Sequence, residues 1–232
     1  MDNINVAENI RRVRGEIGEA AARSGRAAGE ITLVAASKTK PAEMIRLAIA
    51  AGVDAVGENR VQELLEKNAR GAYSGAPLHY IGTLQSNKIN KIVGVCDLIE
   101  TVDSAELIAS IGRRAVALGL VQDILLEINI GREPQKSGVL PENTEDILEY
   151  ASRTSGVNVL GLMAIPPVFV NNERNCNFFD AMFNLYIDMG SKKYDNVSMQ
   201  LLSMGMSDSF KEAIRYGANM VRIGSAIFGG RV

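Results

Sequence analysis

A short apolar run, a polar or glycine corner and an amphipathic stretch recur about eight times along the 232 residues, an alternation that leaves few architectures open. Ile31 to Ala36 reads as a buried strand, and Pro41 opens a helix over 41–51 that Gly52 ends. The same pairing follows at Val53 to Gly57 with 59–70, at His79 to Gly82 with 85–93, and at Asp97 to Thr101 with a helix running to Leu118. It continues at Gln122 to Ile130 with a helix from Pro141, at Val157 to Ala164 with 172–190, and at Val197 to Leu202 with 208–216. Ala218 to Ile223 and a short helix from Ser225 close the series. Ahead of it, Val6, Ile10, Val13 and Ile17 share one helical face, which Asn3 or Asn5 can cap, while Arg11, Arg12 and Arg14 read as a solvated face.

Strands that alternate with helices require a parallel sheet, and eight such units are the count of a (β/α)8 TIM barrel. The expectation is an α/β protein with a single barrel domain over 1–232, residues 1–30 forming a helical leader packed on it. The rival is an open doubly wound sheet, but no Gly-x-Gly-x-x-Gly opens the chain and no composition shift marks a second domain.

A net charge of −2 gives no reason to expect nucleic acid or an acidic membrane surface. Two cysteines, Cys96 and Cys176, and one histidine, His79, have no metal-ligand spacing. No run is long enough to span a bilayer and no apolar signal core opens the chain, so a cytoplasmic location is expected.

In a barrel of this kind the ligand sits at the carboxyl ends of the strands, and phosphate often binds after the last two. Lys38 stands at the end of the first strand, where desolvation would leave an amine able to attack an aldehyde. Glu58 and Asn59 end the second, Asn129 the fifth and Met163 the sixth. The last two strands run into Leu202-Ser-Met-Gly-Met-Ser-Asp208 and Arg222-Ile-Gly-Ser225, each pairing glycine with hydroxyl at a helix entrance. Two such entrances side by side suit a dianion. A phosphorylated aldehyde captured by a lysine is pyridoxal 5′-phosphate or the sugar phosphate of an aldolase, and the pattern alone does not separate them.

Six stretches narrow the choice: Ala36-Ser-Lys-Thr-Lys-Pro41, Gly57-Glu-Asn-Arg-Val-Gln-Glu63, His79-Tyr-Ile-Gly-Thr-Leu-Gln-Ser-Asn-Lys88, Gly161-Leu-Met-Ala-Ile-Pro166, Leu202 to Asp208, and Val221-Arg-Ile-Gly-Ser-Ala-Ile-Phe-Gly229. Together they resemble the pyridoxal phosphate homeostasis protein family (the YggS or PROSC type), across about residues 5–229. The resemblance implies a fold-type III barrel similar to the N-terminal domain of alanine racemase, with pyridoxal phosphate as a Schiff base on Lys38 rather than Lys40. It also implies phosphate contacts at Ser203, Ser207, Gly224 and Ser225, Arg222 at the pyridine nitrogen, and Asn59 near the ring. Arg60 and Thr83 depart from the family, standing where an aromatic residue and a proline are common.

An arginine at the pyridine nitrogen stays charged and only donates, so the ring is left a poor electron sink. The barrel takes up the 232 residues, so the second domain that supplies a tyrosine base in racemases is not expected, and His79 reads as a structural residue. The expectation is therefore a monomer or weak homodimer that holds the cofactor and delivers it to pyridoxal-phosphate-dependent apoenzymes without robust turnover; the alternative is a small amino-acid racemase. On this reasoning Arg222→Glu would favour the pyridinium and raise side reactions. The charged 131–138 loop reads as solvated, Cys96 as packing, Cys176 as a partly exposed thiol, and Met204 and Met206 as core filling or contacts to the ring.

Overall fold

The computed structural model describes residues 4–167 and 172–230, with backbone alone for 172–176, so the expectation for the Cys176 thiol lies outside what is described. The apolar runs form β1 (Thr32–Ala36), β2 (Ala55–Glu58), β3 (Leu78–Tyr80), β4 (Leu98–Val102), β5 (Gln122–Glu127), β6 (Val157–Met163), β7 (Val197–Ser203) and β8 (Met220–Ile223). Each pairs in parallel with the next, and β8 returns to β1 with Arg222 opposite Val34, closing the barrel. The open-sheet rival is thereby excluded. Before, between and after the strands lie α1 (Val6–Arg23), α2 (Ala42–Ala50), α3 (Val61–Ala69), α4 (Ile89–Ile92), α5 (Ala105–Ala117), α6 (Thr144–Ser152), α7 (Asn172–Ser191), α8 (Phe210–Arg215) and α9 (Ser225–Phe228).

The two faces of each strand serve different cores, as the period of two requires. Leu33, Val56, Ile99, Ile124, Leu162 and Val221 point outward and join the helices in one continuous cluster. Their neighbours Val34, Ala55, Leu98, Leu125, Met163 and Met220 form a separate cluster that plugs the barrel interior. Two residues further along β4, β5 and β8, the same inward face carries Glu100, Glu127 and Arg222, all buried. The barrel thus has an apolar floor and a polar layer directly above it, at the carboxyl ends of the strands.

The leader helix α1 is capped by Asn5, whose Oδ1 accepts from the Glu8 amide at 3.1 Å. Its face of Val6, Ile10, Val13 and Ile17 is fully buried, each worth about 1.5–3 kcal/mol of gross transfer free energy. The opposite face is not simply solvated. Arg12 donates to the Ala226 carbonyl at 3.0 Å and Arg14 to that of Gly52 at 2.7 Å, so arginines staple the leader to the barrel.

Three elements differ from expectation. β5 ends at Glu127, because Ile128 pairs with Val139 across the following loop and Asn129 turns into it. The fourth helix is a 3₁₀ turn at Ser86–Lys88 running into the single turn α4. The helix expected from 208 begins at Phe210, because Ser209 holds φ −139° and its hydroxyl accepts from the Met206 amide.

Candidate functional site

Lys38 lies in the turn after β1 and is exposed, so the desolvation expected of it is absent; its place at the barrel mouth is as expected. Among the described residues its amine has no hydrogen-bond or ion-pair partner, whereas its neighbours are all held. Ser37 Oγ donates to Glu58 Oε1 at 2.6 Å, and the Ser37 carbonyl accepts from Lys67 Nζ at 3.1 Å. Thr39 takes φ +63°, an uncommon conformation for a β-branched residue, and its amide donates to Glu63 Oε2 at 2.8 Å. Lys40 Nζ donates to the carbonyls of Phe228 and Gly230 at 3.1 Å each, closing the end of α9. Of the two lysines in the turn, Lys38 alone presents a free amine.

Lys38, Arg222, Ser207, Gly224 and Ser225 line one cavity of about 260 Å³. Here the loops after β7 and β8 meet. The amides of Gly224 and Ala226 converge on Ser207 Oγ, each at 3.3 Å, so two backbone donors already hold one oxygen atom. A Cβ at Gly224 would lie 3.2 Å from the Ala36 carbonyl, tight against β1. The α8 entrance contributes less than expected. The amides of Ser209 and Phe210 are both consumed by the Met206 carbonyl.

Ser203 is not in this cavity. It is fully buried in the polar layer, where it donates to Glu100 Oε2 at 2.6 Å and accepts from Arg222. Arg222 also donates to the Ala164 carbonyl at 3.0 Å, which fixes the guanidinium plane. His79 Nδ1 lies 2.7 Å from Glu100 Oε1, the satisfied structural role expected of it. Burial opposes ionisation of Glu100, but His79, Arg222 and Ser203 together hold its carboxyl below the usual range. An ionised Glu100 accepts only, so Nδ1 carries the proton. Burial pulls Arg222 below its ordinary value, with Glu100 and Glu127 only partly opposing it, and a guanidinium starts so far above neutrality that it keeps its charge. Glu127 goes the other way: desolvation, then Asp103, push it up to about 7 against Arg222 and Ser137.

Asn59 lies on the other half of the mouth, in a cavity of about 290 Å³ shared with Thr101, Glu127 and Ser137, and its side chain donates to the Ile81 carbonyl at 3.3 Å. Asn129 is spent on the 131–138 loop, donating to the Glu133 and Lys136 carbonyls and accepting from the Glu133 amide. The methionine pair divides: Met204 is core and Met206 lines the Lys38 cavity. Cys96 is buried as expected, and desolvation pushes its thiol up to about 12. Of the departures, Arg60 extends outward to pair with Glu63 at 3.3 Å, while Thr83 lines the Asn59 cavity.

Sequence reasoning missed Glu100, Glu127 and the pair of Glu58 with Lys67. The signal was present as a carboxylate inside an apolar run, which a strand buried on both faces tolerates only with a partner.

The chain matches the family described as alanine racemase, N-terminal domain, over residues 4–232. The pyridoxal phosphate homeostasis protein of Aquifex aeolicus is 41% identical over 98% of this chain and 99% of its own. Among solved structures, one described as an unknown protein from Bifidobacterium adolescentis superposes with a TM-score of 0.90 at 36% identity, over 96% of this chain and 94% of that one. PipY of Synechococcus elongatus, solved with PLP bound, superposes with a TM-score of 0.84 at 30% identity, over 97% of this chain and all of that one (100%). With motifs, barrel and near-full-length relatives in agreement, the chain belongs to the alanine racemase N-terminal domain family and, within it, to the pyridoxal phosphate homeostasis proteins.

Proposed function

We propose that the chain binds pyridoxal 5′-phosphate at the barrel mouth and serves to hold and deliver it, without robust turnover. The observation that carries the reading is the placement, in one cavity, of the unpartnered Lys38 amine with Arg222 and with Ser207, Gly224 and Ser225 from the loops after β7 and β8. The cofactor brings an aldehyde for an amine to capture, a phosphate dianion, and a ring that withdraws electrons when its nitrogen is protonated. Lys38 would meet the aldehyde. Ser207, Gly224 and Ser225 would meet the phosphate, Arg222 the ring nitrogen, and Asn59 the ring. Ser203 supports Arg222 from the inner layer, so its part is to orient the guanidinium rather than to touch phosphate.

Arg222 carries the argument for restraint. Its charge, anchored by Glu100 and the Ala164 carbonyl, leaves the ring nitrogen a hydrogen-bond acceptor rather than a proton carrier. The relatives named as homeostasis proteins and the PLP-bound PipY support the same reading. Release to PLP-dependent apoenzymes, a monomeric or weakly dimeric state and a cytoplasmic setting belong to the proposal; no described helix is long and apolar enough to cross a membrane.

The test is to titrate the full chain with pyridoxal phosphate, follow visible absorbance, and assay the loaded protein with a panel of L-amino acids for the D-enantiomers. Stoichiometric colour with turnover far below the usual enzyme range of about 1 s⁻¹ or more is expected. Enzyme-like racemisation would overturn the carrier reading. Absence of colour, with capture of a sugar phosphate instead, would bring the aldolase forward.

A further inference from the structure

The residues that hold the Lys38 turn come from one place, and no part of the proposed cofactor contacts uses them. Lys67, on the inner face of α3, is about nine-tenths buried and reaches back to the end of β1. Its ammonium lies 2.5 Å from Glu58 Oε1, 3.4 Å from Glu63 Oε2 and 3.1 Å from the Ser37 carbonyl. Glu58 in turn accepts from the Ser37 hydroxyl, and Glu63 from the Thr39 amide. One buried cation therefore links the two carboxylates that grip the chain immediately before and after Lys38.

A buried ion pair is a costly way to gain stability, because desolvating both charges offsets most of their attraction. Its strength is geometric, since it fixes groups in one arrangement. Here the arrangement fixed is a turn with a β-branched residue at φ +63°, which a relaxed chain would avoid. The backbone on both sides of Lys38 is hydrogen-bonded to these groups and its side chain is not, an arrangement in which a nucleophile would meet a bound electrophile with little loss of entropy.

We infer that Lys67 is a positioning residue for Lys38: bridging Glu58 and Glu63, it clasps Ser37 and Thr39 and holds the reactive lysine over the cavity. The inference rests on the reading that Lys38 meets the cofactor's aldehyde, and it adds to that reading a residue that touches neither cofactor nor Lys38.

The test uses Glu58→Gln with Lys67→Met, which removes both charges together so that neither is left buried alone. Melting temperature, amide hydrogen exchange of the cofactor-free protein, and pyridoxal phosphate affinity with borohydride trapping are compared with the parent. Expected are a melting temperature close to the parent's, about tenfold faster exchange at the Thr39 and Lys40 amides, and an affinity lower by about tenfold, with trapping still on Lys38. Glu63→Ala, at a partly exposed position, guards against a misfolded double variant and should release the Thr39 amide in the same way. Unchanged exchange at Thr39 in a folded variant overturns the inference, as does faster exchange with unchanged affinity. A parent protein that takes no pyridoxal phosphate on Lys38 would instead overturn the proposed function, and the exchange comparison, made without cofactor, would still decide the clasp.

Discussion

Arg222 and Glu100 face one another inside the barrel, guanidinium to carboxylate at 3.7 Å, with Ser203 hydrogen-bonded to both. Neither is meaningfully exposed. The pair sets what can be changed at this site, because removing one partner leaves the other charged and dry, at a cost of about 3–5 kcal/mol.

Arg222→Glu, the variant suggested by electronics alone, would put a third carboxylate against Glu100 and Glu127. It should melt far below the parent, by about 10 °C or more at roughly 2–4 °C per kcal/mol for a chain of this size. Glu100→Gln combined with Arg222→Gln removes the charge without stranding a partner, and should recover most of that loss. Thermal unfolding of the two variants decides it. Equal melting temperatures would mean the pair is not the constraint described.

Glu127 makes stability depend on pH. Its carboxyl sits near 7 in the fold against an ordinary value of 4.5, so the folded chain binds the extra proton between those values. The stability this contributes is complete below about pH 4.5 and is lost as pH rises through about 7. Glu127→Gln has no proton to lose. Relative to that variant, the parent should lose about 3 kcal/mol between pH 4.5 and 8, read from denaturant unfolding at several pH values. Parallel pH profiles would contradict the burial described for Glu127.

Gly82 lies against the backbone of Asn59, where an added Cβ would stand 2.0 Å from the Asn59 carbonyl oxygen. No side-chain rotation relieves a clash with backbone. Gly82→Ala should cost about 1–3 kcal/mol and move Asn59, weakening the cofactor more than an alanine at a remote exposed glycine such as Gly15 would. Melting temperature and cofactor affinity of the two variants separate a local clash from a general effect.

The barrel was legible because its signals are local and repeated. Pro41 opening a helix and Gly52 ending it each act within a few residues. The inward face was harder to read. In Leu33-Val34-Ala35 every residue is apolar, and closure alone decides that Val34 faces inside. The partners of Lys38 were harder still, because Lys67 meets Ser37 thirty residues away through a turn whose shape no short window contains. Asn129, expected to end the fifth strand, lies beyond it and ties its own loop beside the Ile128–Val139 bridge. Lys38, Ser207, Gly224 and Ser225 were expected together because each follows a strand end of the barrel, and the structure brings them to one cavity.

The most direct measurement is borohydride trapping of the protein loaded with pyridoxal phosphate, followed by peptide mapping, beside Lys38→Ala and Lys40→Ala. Lys40 is tied to the carbonyls that end α9 and Lys38 is not, so the label should fall on the peptide at Lys38. It should vanish in Lys38→Ala and persist in Lys40→Ala. Label on Lys40 in the parent, or undiminished label in Lys38→Ala, would contradict the assignment of Lys38 as the amine of this site.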